Sequence, residues 1–167
     1  MKSMDKRVLV IGGGIAGVQA SLDLAEMGLP VTLVEEKPSI GGRMSQLDKT
    51  FPTNDCSTCI LSPKLVELGS HPNITLCAYS AIEKVERVAG AGERGGKNGA
   101  YEVLIRRRAR YVDEAKCTAC GLCAEKCPVK IPDSFNRGIV DTKCIGIPYA
   151  QAVPAVFRID AGHCLYL

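Results

Sequence analysis

Four cysteines in one short stretch have the clearest chemistry in this sequence. Cys117, Cys120 and Cys123 are separated by two residues each, and Cys127 follows after three more and precedes a proline. This spacing is typical of the bacterial ferredoxin loop that holds a cubane iron–sulfur cluster. Structural zinc sites instead use two ligand pairs a dozen or more residues apart, and disulfide frameworks belong to small secreted scaffolds. The run therefore predicts a [4Fe–4S] cluster and electron transfer.

A glycine-rich turn near the amino terminus is the second candidate site. A short apolar run precedes Gly12-Gly13-Gly14-Ile15-Ala16-Gly17, and a helical apolar stripe and a second apolar run ending at Glu35 follow it. In a β-α-β unit, Gly12 makes the tight turn, Gly14 admits a pyrophosphate, and Gly17 lets helix and strand pack closely. Free N–H groups at the helix start hold phosphates, and Glu35 can accept hydrogen bonds from a ribose. Together these features predict a dinucleotide site.

The residues that follow the acidic strand favour FAD over NAD. Gly41, Gly42 and Arg43 stand shortly after Glu35. A double glycine followed by arginine matches the second phosphate-binding segment of FAD-dependent enzymes with two dinucleotide domains, where the glycines admit the cofactor and the arginine faces it. An ordinary glycine turn is the alternative interpretation.

A second cysteine pair, Cys56 and Cys59, precedes a predicted helix. Ser62 is interpreted as its N-cap with Pro63 in the first turn, and the helix is expected to end at Gly69. A cysteine close to a helix start is favoured as thiolate. The pair is therefore a candidate redox dithiol or a source of ligands for a further cluster, and two buried small residues are the third possibility.

Composition limits the classes of protein to consider. Of the 167 residues, 46% are hydrophobic and 5% aromatic, which suits an α/β fold, and the net charge of +3 is too small to indicate a nucleic-acid partner. No run of about 20 apolar residues is long enough to span a membrane. Nine cysteines without an export signal predict a cytoplasmic location, where thiols remain reduced.

The apolar pattern divides the chain into two expected units. Residues 1–112 are predicted to form an incomplete FAD-binding Rossmann-like domain, a parallel sheet topped by a β-meander, and residues 113–167 a truncated ferredoxin-type [4Fe–4S] domain. The basic run 106–110 is interpreted mainly as a solvated strand face. The first unit should contain a third strand at 74–79 and a hairpin of 82–88 with 101–112, joined by a glycine-rich turn at 89–98.

These motifs together resemble the family of heterodisulfide reductase A subunits. The resemblance covers nearly the whole chain and is most specific at the segment 51–59, Phe-Pro-Thr-Asn-Asp-Cys-Ser-Thr-Cys. The other matching pieces are the turn 12–17 with Glu35, the segments 41–43, 70–74 and 110–113, the cysteine run, and residues 151–154.

The resemblance implies an oxidoreductase component of methanogenesis that acts only within a complex. In that family a flavin divides two electrons between two routes, one that reduces the CoM-S-S-CoB heterodisulfide elsewhere in the complex and one that reduces ferredoxin. The implied partners are the B and C subunits, a hydrogenase or formate dehydrogenase, and ferredoxin. A non-catalytic electron-transfer module and an inactive fragment are the alternatives.

The sequence ends soon after Cys164, which stands where a second cysteine run would begin. In two-cluster ferredoxins the fourth cysteine of one run ligates the other cluster. Cys127 is therefore expected to serve a different cluster from Cys117, Cys120 and Cys123, together with Cys164. By resemblance the chain is expected to be a fragment. Cys144 departs from the family pattern and is expected to be a small apolar filler.

Overall fold

The computed structural model describes residues 7–88 and 100–167. Within those residues eleven strands, three α-helices and one 3-10 helix follow one another along the chain. In order they are β1 (Val8–Ile11), α1 (Ile15–Glu26), β2 (Val31–Val34), the 3-10 helix (Met44–Gln46), β3 (Lys49–Thr50), β4 (Asp55–Cys56), α2 (Ser57–Ser70), β5 (Ile74–Cys77), β6 (Ser80–Arg87), β7 (Tyr101–Arg107), α3 (Leu122–Lys126), β8 (Lys130–Pro132), β9 (Asp141–Lys143), β10 (Ile145–Gly146) and β11 (Arg158–Ile159).

A three-stranded parallel sheet carries the glycine turn. The strand order is β1-β2-β5, and the register aligns Val8 with Val31 and Val31 with Ile74. β2 is the most buried strand because it has a neighbour on each side. The parallel sheet with its helices confirms the predicted α/β class, and β5 is the third strand expected from the sequence, ending at Cys77.

The core of this unit lies between the sheet and its two helices. α1 contributes Val18 and Leu22, and α2 contributes leucines spaced three to four residues apart, as expected for one face of a helix. Each buried leucine contributes about 1.5–3 kcal/mol relative to an exposed one. The buried cluster consists of Val18, Leu22, Leu33, Ile40, Leu61, Leu65 and Leu68.

Helix α2 begins five residues before the predicted N-cap. Its first residue is Ser57, and Cys56 caps it by accepting a hydrogen bond from the backbone N–H of Cys59. Pro63 consequently lies inside the helix, in the second turn. The prediction of a start at Ser62 was wrong because it assigned proline to the first turn, where its missing N–H breaks no hydrogen bond.

The predicted hairpin is present as an antiparallel pair, β6 with β7, which aligns Ser80 with Arg107 and Arg87 with Tyr101. A register shift occurs between Ile82 and Lys84. The predicted glycine-rich turn at 89–98 lies outside the described residues.

The remaining residues form small antiparallel pairs, β8 with β9 and β10 with β11. The chain then returns to the first unit, because the N–H of Ile40 donates to the carbonyl of Val153 (2.9 Å) and the Tyr149 hydroxyl donates to the Ile40 carbonyl (2.5 Å). Tyr149 and Val153 pack against the core of the sheet. Residues from the expected unit 113–167 therefore pack against the core of the expected unit 1–112.

Candidate functional site

The glycine turn joins β1 to α1 in a conformation that only small residues allow. Gly12 has φ of +98°, and its N–H donates to the Val34 carbonyl (2.8 Å). A Cβ at Gly17 would overlap the carbonyl oxygen of Gly12. The first turn of α1 is therefore pressed directly against the end of β1.

Gly14 lies in a different environment, at the N-cap of α1 with φ of −73° and ψ of 177°. A Cβ added there would have no heavy atom within 4 Å among the described residues. The first intrahelical bond runs from the N–H of Val18 to the Gly14 carbonyl (2.9 Å), so the N–H groups before Val18 have no acceptor within the helix. Open space and free donors thus coincide at this helix start.

Glu35 closes the turn from the end of β2. Its carboxylate accepts hydrogen bonds from the backbone N–H groups of Gly13 (2.6 Å) and Lys37 (2.8 Å), and the residue is 9% exposed. A carboxylate has about four acceptor positions, so about two remain for another donor. Glu35 therefore holds the glycine turn in shape and retains capacity toward a ribose.

The second glycine segment lies directly against the first. The N–H of Gly41 donates to the Gly13 carbonyl (2.7 Å), and a Cβ on Gly42 would lie 2.8 Å from the Cα of Gly14. Gly41 and Gly42 have φ of +120° and +57°, which side chains rarely tolerate. Arg43 is an exposed cation at the N-cap of the 3-10 helix. The structure thus brings all the predicted dinucleotide residues together around Gly13 and Gly14, with Arg43 at the edge.

These residues fit a bound FAD. The observation that decides this is the open position at Gly14, beside free helix N–H groups and opposite the unused acceptor positions of Glu35. Gly42 also lines an adjacent cavity of about 440 Å³, which extends from the Lys37–Gln46 segment to the second unit. Ser39, buried in its lining, has a hydroxyl without a hydrogen-bond partner in the described structure.

The cysteine run follows a tightly turned path from Cys117 to Cys127. Ala119 and Gly121 have φ of +54° and +85°, and the short helix α3 separates Cys120 from Cys127. Cys117 accepts the backbone N–H of Phe157 (3.5 Å). Hydrogen bonds from the Leu122 backbone and then the Thr118 side chain lower the pKa of the exposed Cys120 thiol.

The predicted cluster ligands lie in one region of the structure, but their sulfur atoms do not converge on a common centre. Among the residues the structure describes, no three His, Cys, Asp or Glu side chains are close enough to hold one metal ion. The donor set nevertheless fits an iron–sulfur cluster, because four thiols share one loop and one already accepts an N–H···S bond, a feature that tunes cluster potentials.

Cys144 is a buried thiol that sequence analysis treated only as an apolar filler. It is 3% exposed, its sulfur donates to the Asp160 carbonyl (3.2 Å), and burial is the main cause that raises its pKa. Two carbonyls connect it to other cysteines: that of Val129 accepts the Cys144 N–H (3.1 Å) and the Cys127 thiol (3.7 Å), and that of Asp160 also accepts the Cys164 N–H (3.0 Å). Cys127 and Cys164, the pair assigned by ferredoxin logic to one cluster, thus lie on either side of Cys144 along the chain and close to it in space.

Arg110 was also missed, because the basic run was interpreted mainly as a solvated strand face. The first three arginines of the run form exposed ion pairs. Arg110, in contrast, is 4% exposed and donates to the carbonyls of Pro38 (2.5 Å) and Val156 (3.4 Å). A run of five residues gives no signal that distinguishes its last member. The burial of Arg110 depends on its contacts with the backbone at Pro38 and Val156, which are distant from it in sequence.

Cys56 and Cys59 lie together at the start of α2, and both are exposed. The N–H of Cys59 donates to the Cys56 sulfur (3.3 Å). They line a broad cavity of about 530 Å³ together with Thr58, Ser62 and Gln151, among others.

Across 7–88 and 100–167, no helix is both long and apolar enough to cross a membrane.

Two family descriptions match this chain. A family described as FAD dependent oxidoreductase matches residues 7–64, which contain the glycine turn, Glu35 and the second glycine segment. A 4Fe-4S binding domain matches residues 110–133, which contain the cysteine run. These matches agree with the predicted cofactors, FAD and iron–sulfur clusters.

Several curated proteins are similar to the chain along nearly its whole length. The iron-sulfur A subunit of the CoB–CoM heterodisulfide reductase of Methanocaldococcus jannaschii is 51% identical over 97% of this chain and 23% of its own length. The A subunit of the H(2):CoB-CoM heterodisulfide,ferredoxin reductase of Methanothermobacter marburgensis is 50% identical over 98% and 23%. One of the iron-sulfur A subunits of the CoB–CoM heterodisulfide reductase of Methanopyrus kandleri is 54% identical over 92% and 22%. The chain therefore spans about a quarter of the length of these relatives.

Proposed function

Because the chain belongs to the family of heterodisulfide reductase A subunits, we propose that it relays electrons as part of a flavin and iron–sulfur oxidoreductase. The complex would reduce the CoM-S-S-CoB heterodisulfide and couple that reaction to ferredoxin reduction. Activity belongs to the complex, because the chain contributes cofactor-binding residues and no recognised heterodisulfide site.

The contact network around Gly13 carries this proposal. Its N–H is held by Glu35 and its carbonyl by the N–H of Gly41, so both glycine segments and the acidic strand end meet at one residue. The network supports a dinucleotide site, since hydrogen bonds join all three elements at the helix start where the phosphates would bind.

Each residue of this site has a distinct task when FAD is bound. The N-terminus of α1 would hold the pyrophosphate through backbone N–H groups, Gly14 would provide space for it, and Glu35 would accept a hydrogen bond from the ribose. Gly41 and Gly42 let the chain pass close to the cofactor, and Arg43 supplies positive charge. The bound flavin would supply the exchange between two-electron and one-electron chemistry.

The cysteine run supplies the second cofactor site. Cys117, Cys120 and Cys123 would hold one [4Fe–4S] cluster, whereas Cys127 and Cys164 would belong to another. Both are linked to Cys144 through shared hydrogen-bond acceptors, the carbonyls of Val129 and Asp160, and this arrangement supports the division. A cluster held by these cysteines would supply single-electron transfer.

The proposed partners follow from the family. They are the B and C subunits of heterodisulfide reductase, a hydrogenase or formate dehydrogenase that supplies electrons, and ferredoxin. A reducing cytoplasm is the proposed location, because all nine cysteines are free thiols.

Cofactor analysis of two complementary variants tests this function. The chain is prepared anaerobically with FAD, iron and sulfide, and FAD, iron and acid-labile sulfide are then counted. We expect FAD and weakly held iron in the parent chain, because ferredoxin logic assigns only three of the four clustered cysteines to the first cluster. We expect a weaker FAD site in Glu35→Ala by about 1.5–3 kcal/mol, and still less iron but unchanged FAD in Cys120→Ser. A parent chain that binds NAD in preference to FAD, or that remains colourless, contradicts the proposal.

A further inference from the structure

Arg110 is a buried cation to which the proposed flavin and cluster sites give no task. The residue is 4% exposed, and the carboxylate with which it pairs, that of Glu114, lies 3.7 Å from its Nε, beyond hydrogen-bond distance. Burial is the main cause that lowers the pKa of this guanidinium, although arginine keeps its charge in proteins. A buried charge costs free energy unless polar groups compensate for it. The hydrogen-bond acceptors of Arg110 therefore indicate what the residue does.

One hydrogen bond joins Arg110 to the segment between Glu35 and Gly41. Its Nη2 donates to the Pro38 carbonyl (2.5 Å). The two ends of this segment are fixed to the glycine turn, because the Glu35 carboxylate accepts the Gly13 N–H (2.6 Å) and the Gly41 N–H donates to the Gly13 carbonyl (2.7 Å). Arg110 therefore holds the middle of a segment whose ends shape the proposed FAD site.

Two further hydrogen bonds join Arg110 to the chain on either side of Phe157. Its Nη1 donates to the Val156 carbonyl (3.4 Å), and its backbone carbonyl accepts the Ile159 N–H (2.9 Å). Between these two contacts, the Phe157 N–H donates to the Cys117 sulfur (3.5 Å). N–H donors to ligand sulfurs help to set the potential of an iron–sulfur cluster. Arg110 thus holds in place the segment that presents this donor to Cys117.

The ring of Tyr79 lies beside both sets of contacts. The guanidinium of Arg110 is 5.6 Å from the ring centre, and that of Arg158, from the segment around Phe157, is 5.9 Å from it. Both distances are within the range of a cation–π interaction. The Tyr79 N–H donates to the Lys37 carbonyl (2.9 Å), one residue before the carbonyl that Arg110 holds. The two segments attached to Arg110 therefore also meet at Tyr79.

We propose that Arg110 is a positioning residue that couples the dinucleotide site to the ligand sulfur of Cys117. Its planar guanidinium presents separate amino groups in a fixed fork, so that one side chain bridges two carbonyls from distant segments. The inference rests on the proposed function and deepens it, because it assigns the residue that holds the flavin site and the cysteine run in a fixed relation. Groups that act together need such support from residues outside the site.

A cation with a purely structural task is the rival interpretation. In that case Arg110 would act through its charge beside Tyr79, and lysine, which carries the same charge on a flexible stem, would replace it. The bridge makes a different demand, because a single ammonium group does not reproduce the two-carbonyl fork. Arg110→Lys therefore separates the two interpretations.

Residue-resolved amide hydrogen exchange of the 167-residue chain, without FAD and with saturating FAD, tests the coupling. In the absence of denaturant, exchange reports the local opening of each segment. In the parent chain we expect FAD to slow exchange of the Phe157 amide at least about fivefold, the lower end of typical coupling between two sites. The Gly138 amide, which donates to the Asp133 carbonyl (2.7 Å) in the turn between β8 and β9, is the control and should change less than about twofold.

In Arg110→Lys we expect the effect of FAD on Phe157 to disappear, whereas saturating FAD should still slow exchange of the Gly13 amide at the site itself. Arg110→Met takes the place of this variant if the lysine variant does not fold. The matched control is Arg108→Met, which removes a cation 5.8 Å from the centre of the same Tyr79 ring together with its exposed ion pair to Glu36. This control should keep the effect of FAD on Phe157.

The outcomes distinguish the coupling from the proposed function. If FAD binds the parent chain but does not slow the Phe157 amide, or if its effect survives in Arg110→Lys or is lost equally in Arg108→Met, the coupling is overturned and the proposed function stands. If the parent chain does not bind FAD, the proposed function is refuted and the coupling with it.

Discussion

Single glycines have opposite tasks within the dinucleotide turn. At Gly17 a Cβ would strike the carbonyl oxygen of Gly12, so the missing side chain serves packing between helix and strand. At Gly14 a Cβ would meet nothing within 4 Å in the described structure, and the backbone is extended. The absence of a side chain at Gly14 therefore leaves space for a ligand at the N-terminus of α1.

Alanine at these two positions should separate stability from binding. We expect Gly17→Ala to lower the free energy of unfolding by about 1–3 kcal/mol, because the backbone must shift to admit the methyl group. Gly14→Ala should unfold like the parent but bind FAD at least about tenfold more weakly, a loss of about 1.4 kcal/mol. Urea unfolding and FAD fluorescence quenching measure the two effects. Unchanged FAD affinity in Gly14→Ala would count against a pyrophosphate at this turn.

Among the elements, the loop that leads into α3 arranges the cysteine run. Positive φ at Ala119 and Gly121 turns the chain back on itself, which puts Cys117 and Cys120 on the loop, Cys123 in the first turn of α3, and Cys127 at the end of the helix. Cys127 Sγ donates to the Val129 carbonyl (3.7 Å), whereas Cys117 Sγ accepts the N–H of Phe157 (3.5 Å). The fourth cysteine and the first thus contact different segments of the chain.

Single serine substitutions in the run test that separation. If Cys127 serves a different cluster, Cys127→Ser should leave the iron bound by the other three cysteines unchanged, whereas Cys120→Ser should reduce it by roughly half or more, because it removes one of three shared ligands. Iron and acid-labile sulfide are counted on both variants under anaerobic conditions, with FAD content as the control for folding. Equal losses in both variants would show that all four cysteines ligate one cluster.

At the scale of the whole molecule, a buried arginine connects the two halves of the chain. Arg110 donates to carbonyls of both, and its backbone carbonyl accepts the N–H of Ile159 (2.9 Å). Its guanidinium lies 5.6 Å from the centre of the Tyr79 ring, and the guanidinium of Arg158 lies 5.9 Å from it. Phe157, next to the Val156 that Arg110 contacts, donates its N–H to the Cys117 sulfur. The contacts of Arg110 are therefore linked to the cysteine run.

Replacement of Arg110 by methionine should therefore destabilise the molecule. The loss leaves the part-buried Pro38 carbonyl and the buried Val156 carbonyl without this donor, and an unsatisfied buried group costs about 1–3 kcal/mol. Arg106→Met, which breaks an exposed pair with Glu83, should cost less than about 1 kcal/mol. Urea unfolding of both variants provides the comparison. Equal stability of the two variants would mean that Arg110 is not a structural connection.

The sequence alone identified the parts whose signal is local. The parallel β-α-β unit, the hairpin and the cysteine run all follow from short-range spacing, because turns, apolar periodicity and metal-ligand intervals are properties of neighbouring residues. The third strand was likewise predicted, at 74–79, and in the structure it ends at Cys77. The start of α2 was missed although its signal is also local, since Pro63 is a strong marker of a first turn and a cysteine is an unusual cap.

Only the tertiary structure decided which distant residues meet. Glu35 was predicted to face a ribose, and the fold adds that it holds Gly13 and Lys37. The burial of Arg110, the contact of the Cys144 thiol with the Asp160 carbonyl, and the return of residues 149–153 to the first core depend on segments distant in sequence. Such contacts arise from burying apolar surface shared by many residues, and no short stretch of sequence encodes which partner it will find.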